Sequence, residues 1–204
     1  MSKEIILSTR NPAKVEQIKA VFKGSPFSIL SLTEAEIEGE GIEDGNTLQE
    51  NAFKKALFVY EASNPKVWTM ADDTGIFIEA LNGLPGIRSS RWAGENAGTE
   101  EITKHTLNKL KDAKDRSATF ETAVALISPK GEQFFFSGKV KGKILEAPRC
   151  QPQPKMPYSP IFMPDGFNKV WAEMSVEEEN KISHRGKAFK RVRDFLENHY
   201  GKEI

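Results

Sequence analysis

One cysteine, Cys150, stands among 204 residues. A single thiol excludes an intrachain disulfide and any cysteine-built zinc cage. Its setting, Pro148-Arg149-Cys150-Gln151-Pro152, offers no helix N-terminus to activate it, so it reads as an incidental thiol. Long apolar runs are missing too. No stretch approaches the ~18 residues that span a bilayer, and the apolar part of Met1-Ser2-Lys3-Glu4-Ile5-Ile6-Leu7 is too short for a secretory signal. No membrane partner is expected, and the cytoplasm is the expected compartment. Neither sign of charge dominates, with 29 Lys plus Arg against 29 Asp plus Glu. Without a global positive field a nucleic-acid partner is not expected, and any bound polyanion is small and held locally. Repeats, low-complexity tracts and long linkers are absent. What is present, 38% hydrophobic and 28% charged residues at a mean hydropathy of -0.49, is the composition of a globular protein, and the length suits one domain over residues 1–204.

The periodicity describes an α/β chain. Residues 4–8 read as a strand and Thr9-Arg10-Asn11-Pro12 as a tight turn, while Val15, Ile18 and Phe22 mark a helix that ends near Gly24. Asn11 suits the N-cap, Pro12 the first helical position and Gly24 a left-handed exit. A second strand covers 27–32. After an acidic loop over 34–44, Thr47-Leu48-Gln49-Glu50 predicts a capping box and a helix to about Ala62. Residues 67–71 form an apolar strand, interrupted by Asp72-Asp73-Thr74-Gly75 and resumed over 76–78. A helix is expected over 99–111, and strands over 118–127, 133–137 and 140–145 make an antiparallel half. Phe134, Phe135 and Phe136 alternate with no basic residue and read as sheet core, not a base-stacking platform. A proline-rich loop over 148–160, a capping box from Ser175 to Glu178 and a closing helix opened by Ser183 complete the chain, with Phe189, Val192, Phe195 and Leu196 on one face of that helix.

Three clusters carry chemistry. The turn Thr9-Arg10-Asn11-Pro12-Ala13-Lys14 gathers helix N-terminal amides, a hydroxyl, an amide and two cations, a setting suited to phosphate. It lacks the glycine-rich approach of a P-loop, and a capped helix with solvated cations is the plain alternative. Asp72 and Asp73 place two carboxylates side by side, which a magnesium ion would relieve, while a polar turn would need no metal. Glu40, Glu43, Asp44 and Glu50 offer further ligands or simply a solvated face. Ser183-His184-Arg185-Gly186-Lys187 groups a hydroxyl, an imidazole and two cations at a helix start, fit for an anion or a purine edge, or for an ordinary cap. His105 and His199 lie in helices without partners.

In this order, the clusters resemble the house-cleaning inosine/xanthosine triphosphate pyrophosphatases. The resemblance spans nearly the whole chain. It rests on the Thr9-to-Lys14 turn, Glu50-Asn51-Ala52-Phe53-Lys54-Lys55-Ala56, Ala71-Asp72-Asp73-Thr74-Gly75, Leu84-Pro85-Gly86-Ile87-Arg88-Ser89-Ser90-Arg91, Pro160-Ile161-Phe162, Ala172-Glu173-Met174 and Ser183-His184-Arg185-Gly186-Lys187-Ala188. It implies an α/β fold with an elongated, twisted mixed sheet flanked by helices, two lobes and a central cleft, and a homodimer. The implied reaction is magnesium-dependent hydrolysis of a nucleoside triphosphate to the monophosphate and pyrophosphate. By position it implies that Thr9, Asn11 and Lys14 hold the triphosphate, with Arg10 and Lys55 alongside. Glu43 and Asp73, with Asp72 adjacent, fall where magnesium-linked carboxylates are placed, and Asp73 is the general base. Thr74 keeps the hydroxyl of a more usual serine, Tyr158 and Ser159 fall on the base-pocket loop, and His184 and Arg185 match the purine-contacting pair.

The departures concentrate on the base pocket. Where the family usually reads Gly-Phe-Gly-Tyr-Asp-Pro, this chain reads Lys155-Met156-Pro157-Tyr158-Ser159-Pro160, and Glu179 stands where a lysine is usual. A lysine donates to a 6-oxo group, whereas an ionised carboxylate only accepts. Altered base selection is therefore expected, with Lys155 or Lys181 as replacement donors and an unchanged 6-oxopurine preference as the alternative. A nucleotide-binding homologue that has lost turnover is a second reading, disfavoured by the retained carboxylates and lysines. A nucleic-acid-binding module is a third, disfavoured by the charge balance.

Overall fold

The computed structural model describes residues 3–64 and 66–201. Strand β1 (Lys3–Leu7) runs parallel to β2 (Phe27–Ser31) on one side and to β3 (Trp68–Ile78) on the other. Helix α1 (Pro12–Val21) joins β1 to β2. Beyond β3 the sheet is antiparallel through β5 (Ser117–Ile127), β6 (Gln133–Ile144) and β7 (Phe162–Pro164), while the short β4 (Pro85–Gly86) returns against β3. The order β2-β1-β3-β5-β6-β7, with β4 off the path, is a mixed sheet whose strand–helix alternation is confined to β1-α1-β2-α2-β3. Helices α2 (Leu48–Ala62), α3 (Thr99–Lys109), α4 (Val176–Ile182) and α5 (His184–Tyr200) flank it.

Local signals set the helix starts. Asn11 caps α1 by accepting from the Ala13 amide at 3.1 Å, Pro12 is the first helical residue, and Gly24 takes the left-handed conformation at φ 83°. Thr47 accepts from the Glu50 amide at 3.1 Å, but the Glu50 carboxylate bonds the amide of Asn46, so the expected reciprocal box is displaced by one residue. At Ser175 the box closes in both directions. Ser183 accepts from the Gly186 amide at 2.9 Å and opens α5.

Alternation along the strands fixes the two faces. Ala71, Ala125 and Ile127 face Ala52 and Ala56 of α2. Met70, Val124 and Leu126 face the other way, into a core completed by Ile5, Leu7, Ile18, Phe189, Val192 and Leu196. Full burial of Phe189 alone contributes roughly 1.5–3 kcal/mol. Phe134 and Phe136 pack against this core, whereas Phe135 turns outward beside Phe53, and Phe195 covers the core's rim. A second core lies at the far end of the sheet around Ile76, Ile78, Phe120, Val140, Phe162 and Trp171. The two cores are the two lobes, and the cleft opens between them.

Two expectations fail here for one reason. The acidic stretch does not interrupt its strand: β3 runs unbroken, with Asp72 opposite Val124 and Asp73 opposite Ala123. Likewise the strands expected over 133–137 and 140–145 are one strand, β6, continuous through Gly138. Ladder hydrogen bonds belong to the backbone, so polar side chains and glycine do not end a strand that β5 pairs along its length, as it does β3 and β6. Gly138 serves close approach instead, because a Cβ there would lie 2.1 Å from the His184 carbonyl oxygen of α5.

Candidate active site

The cleft sits on one edge of β3. β1 pairs with this strand over Trp68 to Met70 and β4 over Ile76 and Phe77, so neither covers residues 71–75. Gly75 lets β4 close the far side: a Cβ would meet the Gly86 carbonyl oxygen at 2.8 Å. From this edge Asp72 and Asp73 project to opposite faces, which removes the side-by-side repulsion expected of them and gives each its own partners.

Asp72, 1% exposed at its side chain, binds Lys14 Nζ at 3.1 and 3.2 Å and Arg185 Nε at 3.4 Å, with the Thr74 hydroxyl at 3.4 Å. Burial pushes its carboxyl up, but Lys14, Arg185 and Lys55 outweigh burial and hold it well below the usual carboxylate range. Burial lowers the pKa of Lys14, against the pull of Asp72. Asp72 is thus the anion that keeps two cations in place.

Asp73 faces α2. Its oxygens accept from Lys55 Nζ and Asn51 Nδ2, each at 3.1 Å, and Lys55 also binds Glu43 at 2.7 Å. Burial, joined by the Glu43 charge, raises the Asp73 pKa against Lys55 and Asn51. Burial disfavours the Lys55 ammonium, yet Asp73, Glu43 and Asp72 outweigh it and raise its pKa. Asn51 Oδ1 accepts from the Gly45 amide at 2.7 Å, and Arg91 binds the Glu43 carbonyl at 3.1 Å, so the backbone is held at Glu43 and two residues beyond it. Among the described residues no three His, Cys, Asp or Glu side chains converge as a metal cage. Two hard carboxylates sharing one ammonium do fit magnesium, which takes one or two carboxylates and completes its shell with water and phosphate.

The first turn borders the same cleft. Thr9 Oγ1 accepts from the Asn11 amide at 3.1 Å, and Asn11 Oδ1 is engaged in capping, which leaves its amide group to donate. A cavity beside this turn reaches Lys14, Gly41, Glu43, Lys55 and Lys155. Arg10 borders it, but its guanidinium binds the carbonyls of Ile37 and Gly39 and the Glu40 carboxylate, so it holds the acidic loop.

A second cavity, about 780 Å³ including its open mouth, continues past Lys14, Lys55 and Asp73 to His184 and Trp171. Phe120 stacks on the His184 ring at 4.6 Å and 10°. His184 is 3% exposed, its Nδ1 has no partner, and burial drives its pKa well below the ordinary value, so the ring is neutral at pH 7. Arg185 is buried, donating to Gln17 Oε1 at 2.8 Å and lying 3.5 Å from Thr74 Oγ1. Tyr158 donates to the Ser89 carbonyl at 2.9 Å, and Ser159 donates to the Met156 carbonyl at 2.7 Å while accepting from the Gln153 amide. Both are wall residues with engaged hydroxyls. Of the two replacement donors, Lys155 lines both cavities and Lys181 lines neither. Cys150 lies outside them, its pKa raised by burial and Glu173, as suits an unreactive thiol.

Sequence reasoning missed Asn51, Gln17, Phe120 and Trp171 as parts of this constellation. Asn51 was accessible, since it lies four residues before Lys55 on one helix face, and Gln17 likewise lies three after Lys14. Phe120 and Trp171 reach the cavity through tertiary packing alone.

The chain is similar to known proteins along nearly its whole length. The model of the Ham1 family matches residues 5–195. A dITP/XTP pyrophosphatase of Thermoanaerobacter pseudethanolicus is 41% identical over 195 residues, 95% of this chain and 96% of that protein. The dITP/XTP pyrophosphatase of Bacillus subtilis is 38% identical over 197 residues, 96% and 98% of the two chains. Among solved structures, a HAM1 protein from Coxiella burnetii superimposes with a TM-score of 0.83 at 32% identity, covering 96% of this chain and 99% of that one. With a family model over most of its length and close relatives end to end, this chain belongs to the Ham1 family.

Proposed function

We propose that this protein hydrolyses deaminated purine nucleoside triphosphates, of the dITP and XTP class, to the monophosphate and pyrophosphate, using Mg²⁺. The observation that carries the reading is one cleft that joins the amide-rich turn of α1, the paired lysines Lys14 and Lys55, and the carboxylates Glu43 and Asp73 to a base-sized cavity. The names of the relatives support the same substrate class.

The turn amides, Thr9, Asn11 and Lys14 bind the triphosphate, and Lys55 draws its charge toward Asp73. Glu43 and Asp73 are the residues that would hold magnesium, which neutralises phosphate charge when bound. Asp73 accepts the proton of the attacking water, whose oxygen bonds to the α-phosphorus as the bond to the bridging oxygen breaks and pyrophosphate leaves. A raised carboxyl pKa suits a base of this kind. His184 and Phe120 border the base, and Asp72 orients Lys14 and Arg185 from behind.

The protein is read as a homodimer that works on the free nucleotide pool of the cytoplasm, without nucleic acid or membrane. The balanced charge speaks against a nucleic-acid partner, and among the described residues no helix is long and apolar enough to cross a membrane. Light scattering tests the dimer. Pyrophosphate release from dITP and XTP with and without Mg²⁺, alongside Asp73→Asn, tests the activity. Turnover that depends on metal and falls at least about 100-fold in the variant is expected; nucleotide binding without product would overturn the reading.

A further inference from the structure

The deep end of the base cavity carries a carboxylate. Glu179, in α4, is 4% exposed and borders the cavity beside His184 and Trp171. It is held by Gln17, whose Nε2 donates to Glu179 Oε1 at 2.8 Å and whose Oε1 accepts from Arg185 at 2.8 Å. These two partners fix the orientation of the Gln17 amide, so it presents a donor toward Glu179. Glu179 also accepts from the Gln153 side chain, and it faces the cavity as an acceptor with lone pairs beyond those that Gln17 and Gln153 use. Two buried groups of the cavity wall have no partner, Trp171 Nε1, which can only donate, and His184 Nδ1, which donates or accepts according to the tautomer. Unpaired buried polar atoms around a cavity are places for a ligand's polar atoms.

We infer that Glu179 is the specificity-determining residue for the base, accepting a hydrogen bond from the ring N1–H of a 6-oxopurine while the unpartnered Trp171 Nε1–H meets an acceptor of the base. The inference rests on the proposed hydrolysis of deaminated purine nucleotides and names the edge by which they are read. Hypoxanthine and xanthine carry a hydrogen on N1, whereas adenine carries a lone pair there. A buried acceptor facing a second acceptor is left without a partner, and sites built to bond an N–H reject analogues that lack it far more strongly than sites that sense size alone. Guanine also carries N1–H, so this contact does not exclude it. Discrimination here separates lactam from amidine, not deaminated from aminated base.

The test compares kcat/KM for inosine, 1-methylinosine, guanosine and adenosine triphosphates on the wild-type protein. Inosine triphosphate is expected to be cleaved, the 1-methyl and adenosine compounds to fall at least about 100-fold below it, and guanosine triphosphate to lie nearer inosine. Glu179→Gln, which can donate to the bare N1 of adenine, is expected to narrow the inosine-to-adenosine ratio at least about 10-fold while inosine triphosphate is still cleaved. Equal turnover of inosine and 1-methylinosine triphosphates, or a preference for adenosine triphosphate, overturns the inference and leaves the hydrolase reading standing. Absence of turnover with every nucleotide overturns the hydrolase reading itself and the inference with it. The wild-type comparison decides the matter even if the variant fails to fold.

Discussion

Replacing Asp72 by Asn separates two adjacent carboxylates by what they do. Asp72 is buried between Lys14 and Arg185, and both cations depend on it for neutralisation. Breaking such an arrangement from one side leaves buried charge without a partner and costs about 3–5 kcal/mol. Because Lys14 keeps about a fifth of its side-chain surface in solvent, with 22% exposed, the lower half of that range is expected. For a chain of this size each kcal/mol moves Tm by about 2–4 °C, so a drop of roughly 6–16 °C is expected at pH 7 by calorimetry. Asp73→Asn is the control. The Asp73 pKa is raised in the folded protein, so its ionisation opposes folding at neutral pH, and Lys55 still has Glu43. Its Tm is expected at or above that of the parent. The pH dependence follows from the signs. Asp72, held low, stabilises above the unfolded value of about 3.9, and this contribution is lost as pH falls toward its folded value. The gap between parent and Asp72→Asn is therefore expected to narrow below pH 4. A Tm for Asp72→Asn within about 2 °C of the parent, or a larger loss in Asp73→Asn, refutes the assignment of Asp72 as the cation anchor.

Three further outcomes are expected. His184 is neutral in the folded state, so its ring NMR shifts are expected to stay constant from pH 8 through the normal histidine range, and its contribution to stability falls as pH drops below about 6.5. A midpoint near 6.5 for this ring contradicts its burial. Lys155→Ala removes a cation that borders both cavities, and is expected to raise KM several-fold with kcat little changed, measured by steady-state pyrophosphate release. Arg10→Ala releases the carbonyls of Ile37 and Gly39, so amide exchange over residues 37–43 is expected to accelerate at least about 10-fold, while exchange in α1 is unchanged.

Helix starts were legible because their causes are local. Asn11, Thr47, Ser175 and Ser183 each cap the helix that their spacing to the next residues predicts. The parallel half was legible as well, from its apolar runs. The continuity of β3 and β6 was not, because each persists through its pairing with β5, and pairing partners are distant in sequence. The same non-locality separates the site residues. Lys14, Lys55, Glu43 and the two aspartates were readable as chemistry-bearing types, but not that Asp72 and Asp73 face opposite sides of a sheet. Nor could residue type show that Arg10, Tyr158 and Ser159 have polar groups already engaged by backbone atoms. Spacing puts Gln17 on the helix face of Lys14, but its role shows only once its partners Glu179 and Arg185 are known.

The ammonium of Lys55, shared between Glu43 and Asp73, has a consequence for the order of events. Across the cleft Lys14, Lys55, Lys155 and Arg185 stand against Glu43, Asp72, Asp73 and Glu179, four cations and four anions, so the site is electrically balanced. A lone divalent ion entering it must compete with a lysine that already neutralises both oxygen donors, and gains little. A triphosphate changes the balance, because it brings the surplus of negative charge that both the lysines and the metal can answer. Under the proposed magnesium-dependent hydrolysis, the ion is therefore expected to enter with the nucleotide rather than ahead of it.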